Sequence, residues 1–231
     1  MMSRPRRTER DLRRRAWGQN LLVDRAAIEG LVEEVGVEPD QCILELGAGR
    51  GALTVPLLRR GARVVAVERD PRWARQLTDT LVEEGLTDRV SVCQADLRTL
   101  TLPRRRYRVV SNLPFGLTTD AMALLLDRPE RGPWRADLLI QAEVARKRAE
   151  TEPRNLRTAA WAPWWTFQLG PRVPGSAFRP IPSVDAALLK VYRRDPPVLP
   201  AWIAPRMREL LRPAWNPNAS RESSTSREPE G

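Results

Sequence analysis

The sequence contains no histidine and only two cysteines, Cys42 and Cys93. Histidine is the side chain most often used as a general base near neutral pH, and protein zinc sites are built largely from histidine and cysteine. The composition therefore argues against a histidine general base and against a zinc site, and we expect no metal site. Both cysteines lie in apolar runs that are predicted to be strands, so we expect reduced, buried thiols and no disulfide.

Long hydrophobic runs are also missing. No apolar run approaches the length of a membrane span, and the N-terminal stretch has no apolar segment of the kind found in secretory signals. We therefore expect a cytoplasmic protein that makes no use of a membrane, and we expect it to be a monomer. The chain of 231 residues, 42% of them hydrophobic, is long enough for one main domain with a sizeable core.

Acidic residues are too few to balance the basic ones. The chain has 39 Lys and Arg residues against 29 Asp and Glu, a net charge of +10. Such a charge predicts a polyanionic partner, most simply nucleic acid, with an anionic membrane as the lesser option. Only two of the basic residues are lysines, so part of the arginine excess is equally consistent with genomic codon bias. Seven arginines lie in residues 1–15, which is typical of a solvated arm that either attracts phosphates or is only a tail.

The stretch CILELGAGRG, residues 42–51, is typical of a buried parallel strand that leads into a glycine turn and a helix. Glycine permits positive φ there and lets a ligand lie against bare backbone, although taken alone the pattern also fits a plain strand-to-helix turn. This apolar run and the next two end in Glu45, Glu68 and Asp96. Carboxyl ends of parallel strands meet at one sheet edge, so we expect these acids to line one site. Acids would repel a pyrophosphate, which favours a positively charged nucleoside such as S-adenosylmethionine.

A fourth predicted strand, residues 107–111, ends in Asn112-Leu113-Pro114-Phe115. Pro114 rigidifies the turn and restricts Leu113 to an extended conformation, so the Asn112 side chain and the Leu113 carbonyl can point the same way. Two neighbouring acceptors suit a planar amine, and Phe115 offers a face on which a base can stack. Taken alone, the same residues are also consistent with a proline-stabilised turn that carries a core phenylalanine.

The remaining pattern predicts helices and strands on both sides of these motifs. Asp24 is expected to cap a helix through residue 35, and further strands are expected at residues 134–141, 160–169 and 184–192, with a helix at 143–150. Tryptophans 161, 164 and 165 are interpreted as core and not as a base-stacking platform. We divide the chain into a basic flexible arm (1–15), a main domain (16–194), a short helical appendage (195–213) and a disordered tail (214–231).

With these motifs in order, the chain resembles the S-adenosylmethionine-dependent rRNA adenine dimethyltransferases, and within them the Erm macrolide-resistance enzymes. The matching segments are QNLL (19–22), ELGAG (45–49), Glu68, Asp96, NLPF (112–115), QAEVA (141–145) and FRPIPSVD (178–185). Two features depart from the family. Leu21 stands where the family usually has phenylalanine, and the family's C-terminal helical domain is fuller than the residues after Arg194.

The resemblance implies an α/β fold, a Rossmann-like methyltransferase with a seven-stranded, mostly parallel sheet and a short helical C-terminal appendage. It implies methyl transfer from S-adenosylmethionine to the exocyclic amine of an adenine in 23S ribosomal RNA, before large-subunit assembly is complete, and hence macrolide-type resistance. The implied cofactor-binding residues are Asn20, Leu22, Gly47, Glu68, Asp96 and Asn112, and the implied catalytic residues are Asn112, Leu113, Pro114, Phe115 and Phe178.

Two other functions are kept open. A small-subunit (16S) rRNA adenine dimethyltransferase of ribosome assembly would have the same fold, but those relatives more often carry tyrosine where Phe115 stands. The second alternative is a catalytically silent RNA-binding relative, which the intact Gly47, Glu68, Asp96 and Asn112 disfavour.

Overall fold

The computed structural model describes residues 20–215, so the expectations for the basic arm, Gln19 and the tail beyond residue 215 concern residues outside that range. Within it, seven strands form one sheet in the order β4-β3-β2-β5-β6-β9-β7. Strands β2 to β6 pair in parallel, and β9 runs antiparallel to both β6 and β7. The predicted seven-stranded, mostly parallel sheet is thus confirmed. The strands are β1 Leu21–Leu22, β2 Cys42–Leu46, β3 Arg63–Glu68, β4 Val90–Gln94, β5 Arg108–Asn112, β6 Arg135–Gln141, β7 Trp165–Val173, β8 Phe178–Arg179 and β9 Ala186–Arg193.

Helices connect the strands and cover the sheet. The α-helices are α1 Arg25–Val35, α2 Thr54–Arg59, α3 Pro71–Glu83, α4 Thr118–Leu126, α5 Ala142–Arg148, α6 Leu156–Trp161 and α7 Met207–Leu211; the 3-10 turns are Leu97–Thr99, Phe115–Leu117, Gly175–Ala177, Ala201–Arg206 and Arg212–Ala214. Helix α1 forms as predicted, because the Asp24 side chain accepts a hydrogen bond from the Ala27 amide (2.8 Å) and Gly36 closes the helix at φ 60°. None of the helices in residues 20–215 has the length and apolar character of a membrane span.

The sheet is buried on both faces. On β2, Ile43 belongs to the core under α1, α2 and α3, whereas its neighbour Leu44 belongs to the core under α4 and α6. Successive strand residues point to opposite faces, so a strand that is apolar at every position indicates helices on both sides. The carboxyl ends of β2, β3, β4 and β5 are therefore left at one uncovered edge.

The sixth predicted strand was misplaced. Residues 160 and 161 end helix α6 instead, because Asn155 caps that helix by accepting from the Thr158 amide at 2.9 Å, and β7 begins only at Trp165. The core interpretation of the tryptophan cluster is confirmed, since Trp161, Trp164 and Trp165 are each no more than 2% exposed. Residues 201–211 form a 3-10 turn followed by α7 and not one continuous α-helix, because Pro205 lacks the amide hydrogen that such a helix needs.

A small second sheet was not predicted at all. Strands β1 and β8 pair antiparallel, with Leu21 opposite Arg179 and Leu22 opposite Phe178. Each strand has two residues, which is too short for a periodic pattern to be detected. The pairing brings the segment before α1 next to the glycine turn, at the edge where the carboxyl ends meet.

An ion pair buried in the sheet ties helix α1 to the strands. The Arg108 guanidinium donates to Asp137 at 2.8 Å, and the two side chains are 1% and 0% exposed. Arg108 also donates to the carbonyl oxygens of Val35 and Gly36, where α1 ends. Burial lowers the pKa of Arg108, and Asp137 acts in the opposite direction. Arg135 donates to the other carboxylate oxygen of Asp137 at 2.8 Å, so this acid holds two arginines.

Removing Asp137 is therefore expected to be costly. Asp137→Ala leaves Arg108 buried without its counter-charge, and we expect a loss of about 3–5 kcal/mol in the free energy of unfolding, measured by urea denaturation. Glu29→Ala is the matched control, because Glu29 pairs with Arg25 on the surface with side chains 66% and 86% exposed. That change should cost about 0.5 kcal/mol. Equal losses in the two variants would contradict a stabilising role for the buried pair.

Candidate active site

A cavity opens at the edge where β2, β3, β4 and β5 end. Six residues predicted from the sequence contribute to its wall. The lining residues are Asn20, Leu21, Gly47, Gly49, Val67, Glu68, Arg69, Trp73, Ala95, Asp96, Leu97, Asn112, Pro114 and Leu117. The glycine turn, two acids and the start of the Asn112-Leu113-Pro114-Phe115 turn thus meet at one place, although 65 residues separate Gly47 from Asn112 in the sequence.

The turn needs glycine at residues 47 and 49 for two reasons, the backbone conformation and the lack of space for a side chain. Gly47 and Gly49 have φ angles of 73° and 56°, which side chains rarely adopt. A Cβ on Gly47 would lie 3.3 Å from Cδ of Pro114, and a Cβ on Gly49 would lie 3.3 Å from Cδ2 of Leu21. The turn therefore packs tightly against the Pro114 turn and against β1, and its wall of the cavity is backbone.

Glu68, the last residue of β3, joins that strand to the glycine turn. Its carboxylate is 4% exposed and accepts hydrogen bonds from the backbone amides of Gly49 (2.9 Å) and Asp70 (2.8 Å). A carboxylate has about four lone-pair positions, so two remain for donors such as the hydroxyls of a ribose.

Asp96 lies two residues beyond β4, at the start of a 3-10 turn. It accepts from the Arg98 amide at 3.0 Å and from the Arg69 guanidinium at 3.3 Å. The Arg98 amide and, after it, Arg69 lower the pKa of the Asp96 carboxyl, so the group is charged at neutral pH. An ionised carboxylate at this point is an acceptor for an amine.

The Asn112 amide is held in one orientation. Its nitrogen donates to the backbone carbonyl of Asn20 at 3.1 Å, which leaves the amide oxygen as the atom that can accept a further bond. The backbone on both sides is also held: the Leu113 amide donates to the Leu139 carbonyl at 3.1 Å, and the Leu117 amide donates to the Pro114 carbonyl at 2.8 Å. This turn presents Asn112 and the Leu113 carbonyl from a rigid frame.

Not every predicted residue lines the cavity. The side chains of Leu22 and Leu113 are packed in the core at 3% and 1% exposure. Phe115 is half-buried, and its ring centroid lies 6.5 Å from that of Phe178, which is fully buried. The structure thus places Phe178 behind Phe115, and the roles of these residues toward a ligand stay predictions.

Sequence reasoning missed several lining residues. Arg69 and Leu97 each directly follow a predicted acid, so their place after Glu68 and Asp96 was a usable signal. Trp73 lies on α3, where its ring is 5.7 Å from the Arg50 guanidinium, and nothing local distinguishes it from a core tryptophan.

Glu45 does not line the cavity, contrary to expectation. It is the residue before the last one of β2, so the alternation of the strand sends its side chain into the interior, where it is 2% exposed. The Thr54 hydroxyl donates to it at 2.6 Å. Burial raises the pKa of Glu45 from 4.5 to about 8.

Comparison with known proteins identifies the family. Residues 10–216 match the family model for ribosomal RNA adenine dimethylase. An rRNA adenine N-6-methyltransferase of Corynebacterium diphtheriae is 39% identical over 81% of this chain and 71% of its own length. The mycinamicin-resistance protein MyrB of Micromonospora griseorubida is 40% identical over 80% of this chain and 58% of its own length. The crystal structure of the 23S rRNA methyltransferase ErmE superposes with a TM-score of 0.73 at 30% identity, covering 90% of this chain and 86% of ErmE. The chain therefore spans between 58% and 86% of the length of these three relatives.

The raised pKa of Glu45 predicts a pH dependence of stability. The unfolded chain loses this proton above about pH 4.5, whereas the folded chain keeps it to about pH 8. The contribution of Glu45 to stability is thus complete below pH 4.5 and is lost as the pH rises toward 8. Between pH 4.5 and about 8, the free energy of unfolding should fall less steeply with pH in Glu45→Gln than in the wild type. The difference in slope should be up to about 1.4 kcal/mol per pH unit. Urea denaturation at several pH values measures it, and parallel pH curves for the two proteins would show that Glu45 is ionised when buried.

Proposed function

The chain belongs to the ribosomal RNA adenine dimethylase family, and we propose that it methylates the exocyclic amine of an adenine in 23S ribosomal RNA with S-adenosylmethionine as donor. Relatives named rRNA adenine N-6-methyltransferase, mycinamicin-resistance protein and 23S rRNA methyltransferase support this substrate, and a resistance role toward macrolide-type antibiotics follows from it. One observation carries the proposal: the glycine turn, Glu68 and Asp96 share a single cavity with Asn112 and Pro114.

The cavity fits S-adenosylmethionine. Its wall is bare backbone at Gly47, where a Cβ would close the gap to Pro114, and two carboxylates face it. We assign Glu68 to the ribose hydroxyls and Asp96 to the adenine amine of the cofactor, with Asn20 and Asn112 completing the wall. Leu22 is assigned a contact through its main chain, because its side chain lies in the core.

The chain's own part in the reaction is alignment. When bound, S-adenosylmethionine would supply an electrophilic methyl group: the new C–N bond to the target amine forms as the C–S bond breaks, the sulfonium leaves as a neutral thioether, and the amine loses one proton. The lone pair of that amine is delocalised into the purine ring. Hydrogen bonds from its two N–H groups to the Asn112 amide oxygen and the Leu113 carbonyl hold it in the pyramidal form that can attack. The Nδ2 bond from Asn112 to Asn20 supports this role because it fixes the orientation of the amide.

Phe115 is assigned to the target base. Taking an adenine out of its stack costs a few kcal/mol, and stacking on an aromatic face offsets part of that cost. Phe115 is half-buried and packs against the buried ring of Phe178. We therefore assign the Phe115 ring to stacking on the base and the Phe178 ring to supporting Phe115. Phe178 therefore acts on the base through Phe115, while Pro114 holds the turn rigid.

The setting of the reaction follows from the substrate. We place it in the cytoplasm, on 23S RNA before large-subunit assembly is complete, because the target base must be accessible for extrusion. The net charge of +10 supports an RNA partner. We further propose a monomer that uses no metal, with the methyltransferase domain reaching to residue 194 and a short helical appendage at residues 195–213.

The substrate is tested with protein-free ribosomal RNA. We expect methyl groups from labelled S-adenosylmethionine to enter large-subunit RNA and not small-subunit RNA, with the label mapping to the N6 position of an adenine. Incorporation into small-subunit RNA alone would identify the ribosome-assembly alternative. RNA binding without any incorporation would identify the silent relative.

Two substitutions in the turn separate the proposed roles. Asn112→Ala removes an acceptor needed in the transition state, so the single-turnover rate should fall even at saturating RNA. Phe115→Ala removes a stacking face worth about 1–3 kcal/mol, so it should weaken RNA capture by roughly 5- to 150-fold, while Phe115→Tyr keeps most of the activity. Equilibrium unfolding of each variant controls for loss of packing against Phe178. A normal rate for Asn112→Ala, or a chemical defect in Phe115→Ala that saturating RNA does not relieve, would overturn these assignments.

A further inference from the structure

A second, larger depression crosses the sheet face that α4 covers. It lies between the segment from Leu97 to Tyr107, which connects β4 to β5, and helix α4 with the turn that follows it, and we call it the arginine groove. Leu97 lines both this groove and the cavity of the active site. The groove and the cavity therefore share a wall at Leu97, the residue after Asp96. It runs along α4, whose nine residues span about 13 Å, toward the opposite edge of the sheet.

Five arginines of the groove carry charge that acids do not neutralise. They are exposed, and in residues 20–215 no ion pair joins any of them to an acid: Arg104, Arg105, Arg106, Arg128 and Arg131.

Two of the four acids of the groove are neutralised by ion pairs. Asp120 accepts from Arg98 at 2.9 Å, and Asp127 pairs with Arg208 at 3.4 Å. Glu130 and Asp195 are the acids of the groove that make no ion pair with a described residue. The lining holds eight arginines against these four acids, so the groove has a positive field directed at a polyanion.

Two of the arginines project from a turn that is held rigidly. The Arg131 carbonyl accepts from the hydroxyl of buried Tyr107 at 3.0 Å, and the Arg131 amide donates to the Arg128 carbonyl at 3.0 Å. Arg193 donates to the Gly132 carbonyl at 2.6 Å. Even a Cβ on Gly132 would come within 2.7 Å of the Trp165 ring. The turn is thus held by hydrogen bonds from both sides, so presenting Arg128 and Arg131 to a ligand requires little ordering of the backbone.

An aromatic ring lies among these charges. The Trp134 side chain is half-buried, and the guanidinium groups of exposed Arg106 and buried Arg108 lie 5.0 and 5.7 Å from its ring centroid. Exposed arginines beside an aromatic ring are a combination that single-stranded nucleic acid binds, chiefly through phosphates. A groove for an acidic protein segment would need the arginines but not the ring.

We propose that the arginine groove binds the ribosomal RNA strand that flanks the target adenine, through its phosphates. This inference rests on the proposed activity toward ribosomal RNA. The groove gives the strand a path away from the reaction centre that begins at Leu97 and ends at Arg128 and Arg131. It adds affinity that is independent of sequence and sensitive to salt, while the cavity selects the base.

Two variants test the groove, Arg128→Gln/Arg131→Gln and Arg104→Gln/Arg105→Gln, with Arg60→Gln/Arg75→Gln as the matched control. Arg60 and Arg75 are exposed, are joined to no acid within residues 20–215, and lie on or directly after α2 and α3, on the other face of the sheet. The dissociation constant for protein-free large-subunit RNA is measured over a range of salt concentrations, without methyl donor. Each lost phosphate contact should reduce the log–log salt slope by roughly 0.7. The control should change it less.

A length series locates the effect. With a short hairpin that carries only the target adenine and its pairing partners, the groove variants should bind like the wild type, whereas longer RNA should reveal their defect. Calorimetry should show unchanged affinity for S-adenosylmethionine, which separates the groove from the cavity.

The proposal is overturned if the groove variants and the control bind long RNA alike, or if the defect is the same for the short hairpin. It is also overturned if the variants lose affinity for large-subunit proteins and not for RNA. Failure of the wild type to methylate large-subunit RNA would refute the proposed function instead, because the groove is judged from binding without methyl transfer.

Discussion

The geometry of the candidate active site depends on the hydrogen bonds that the Glu68 carboxylate accepts. This carboxylate joins the glycine turn, through the Gly49 amide, to the start of α3, through the Asp70 amide. The Val67 carbonyl reinforces the same junction by accepting from the Gly47 amide at 2.8 Å. Because the turn is held at both ends, Gly47 can approach Pro114 closely enough that no side chain fits between them. The glycine turn and the turn at Pro114 are thus packed directly against each other.

Arginine serves two opposite purposes in this chain. Arg108 is buried and stabilises the fold. Asp137 neutralises its charge, and its other N–H groups donate to the carbonyls at the end of α1. Arg128 and Arg131 are exposed on a rigid turn, where no acid of the described chain pairs with them. A planar guanidinium with several donors suits both uses, because it can satisfy a helix end or grip a phosphate. Codon bias can raise the number of arginines, but it does not decide which of them are buried and paired.

Acid–base chemistry has a small place in this site. The Asp96 carboxyl has a lowered pKa and is ionised. Glu45, whose pKa is raised to about 8, is buried away from the cavity and accepts a hydrogen bond from the Thr54 hydroxyl. The groups that we propose for the target amine are the Asn112 amide oxygen and the Leu113 carbonyl, which accept hydrogen bonds and do not titrate near neutral pH. A neutral amine that attacks a sulfonium methyl needs orientation more than deprotonation, and a chain without histidine can supply orientation.

The sequence by itself determined the features that depend on neighbouring residues. Asp24 and Gly36 delimit α1, and the glycines of residues 47–51, the acids after the strands and the Asn112-Leu113-Pro114-Phe115 turn mark one edge of a parallel sheet, because turn chemistry and strand periodicity are local properties. From these motifs the family, the fold and six residues of the cavity wall were predictable.

Tertiary structure decided what depends on register and on distant pairing. The position of Glu45 within β2 sent its side chain inward. The pairing of β1 with β8 has no local signal, since two residues carry no period. The arginine groove is assembled from segments around residues 104, 131 and 193, which the sheet order alone brings side by side. A charge pattern along the chain predicts a polyanionic partner, but only the folded sheet shows where that partner can lie.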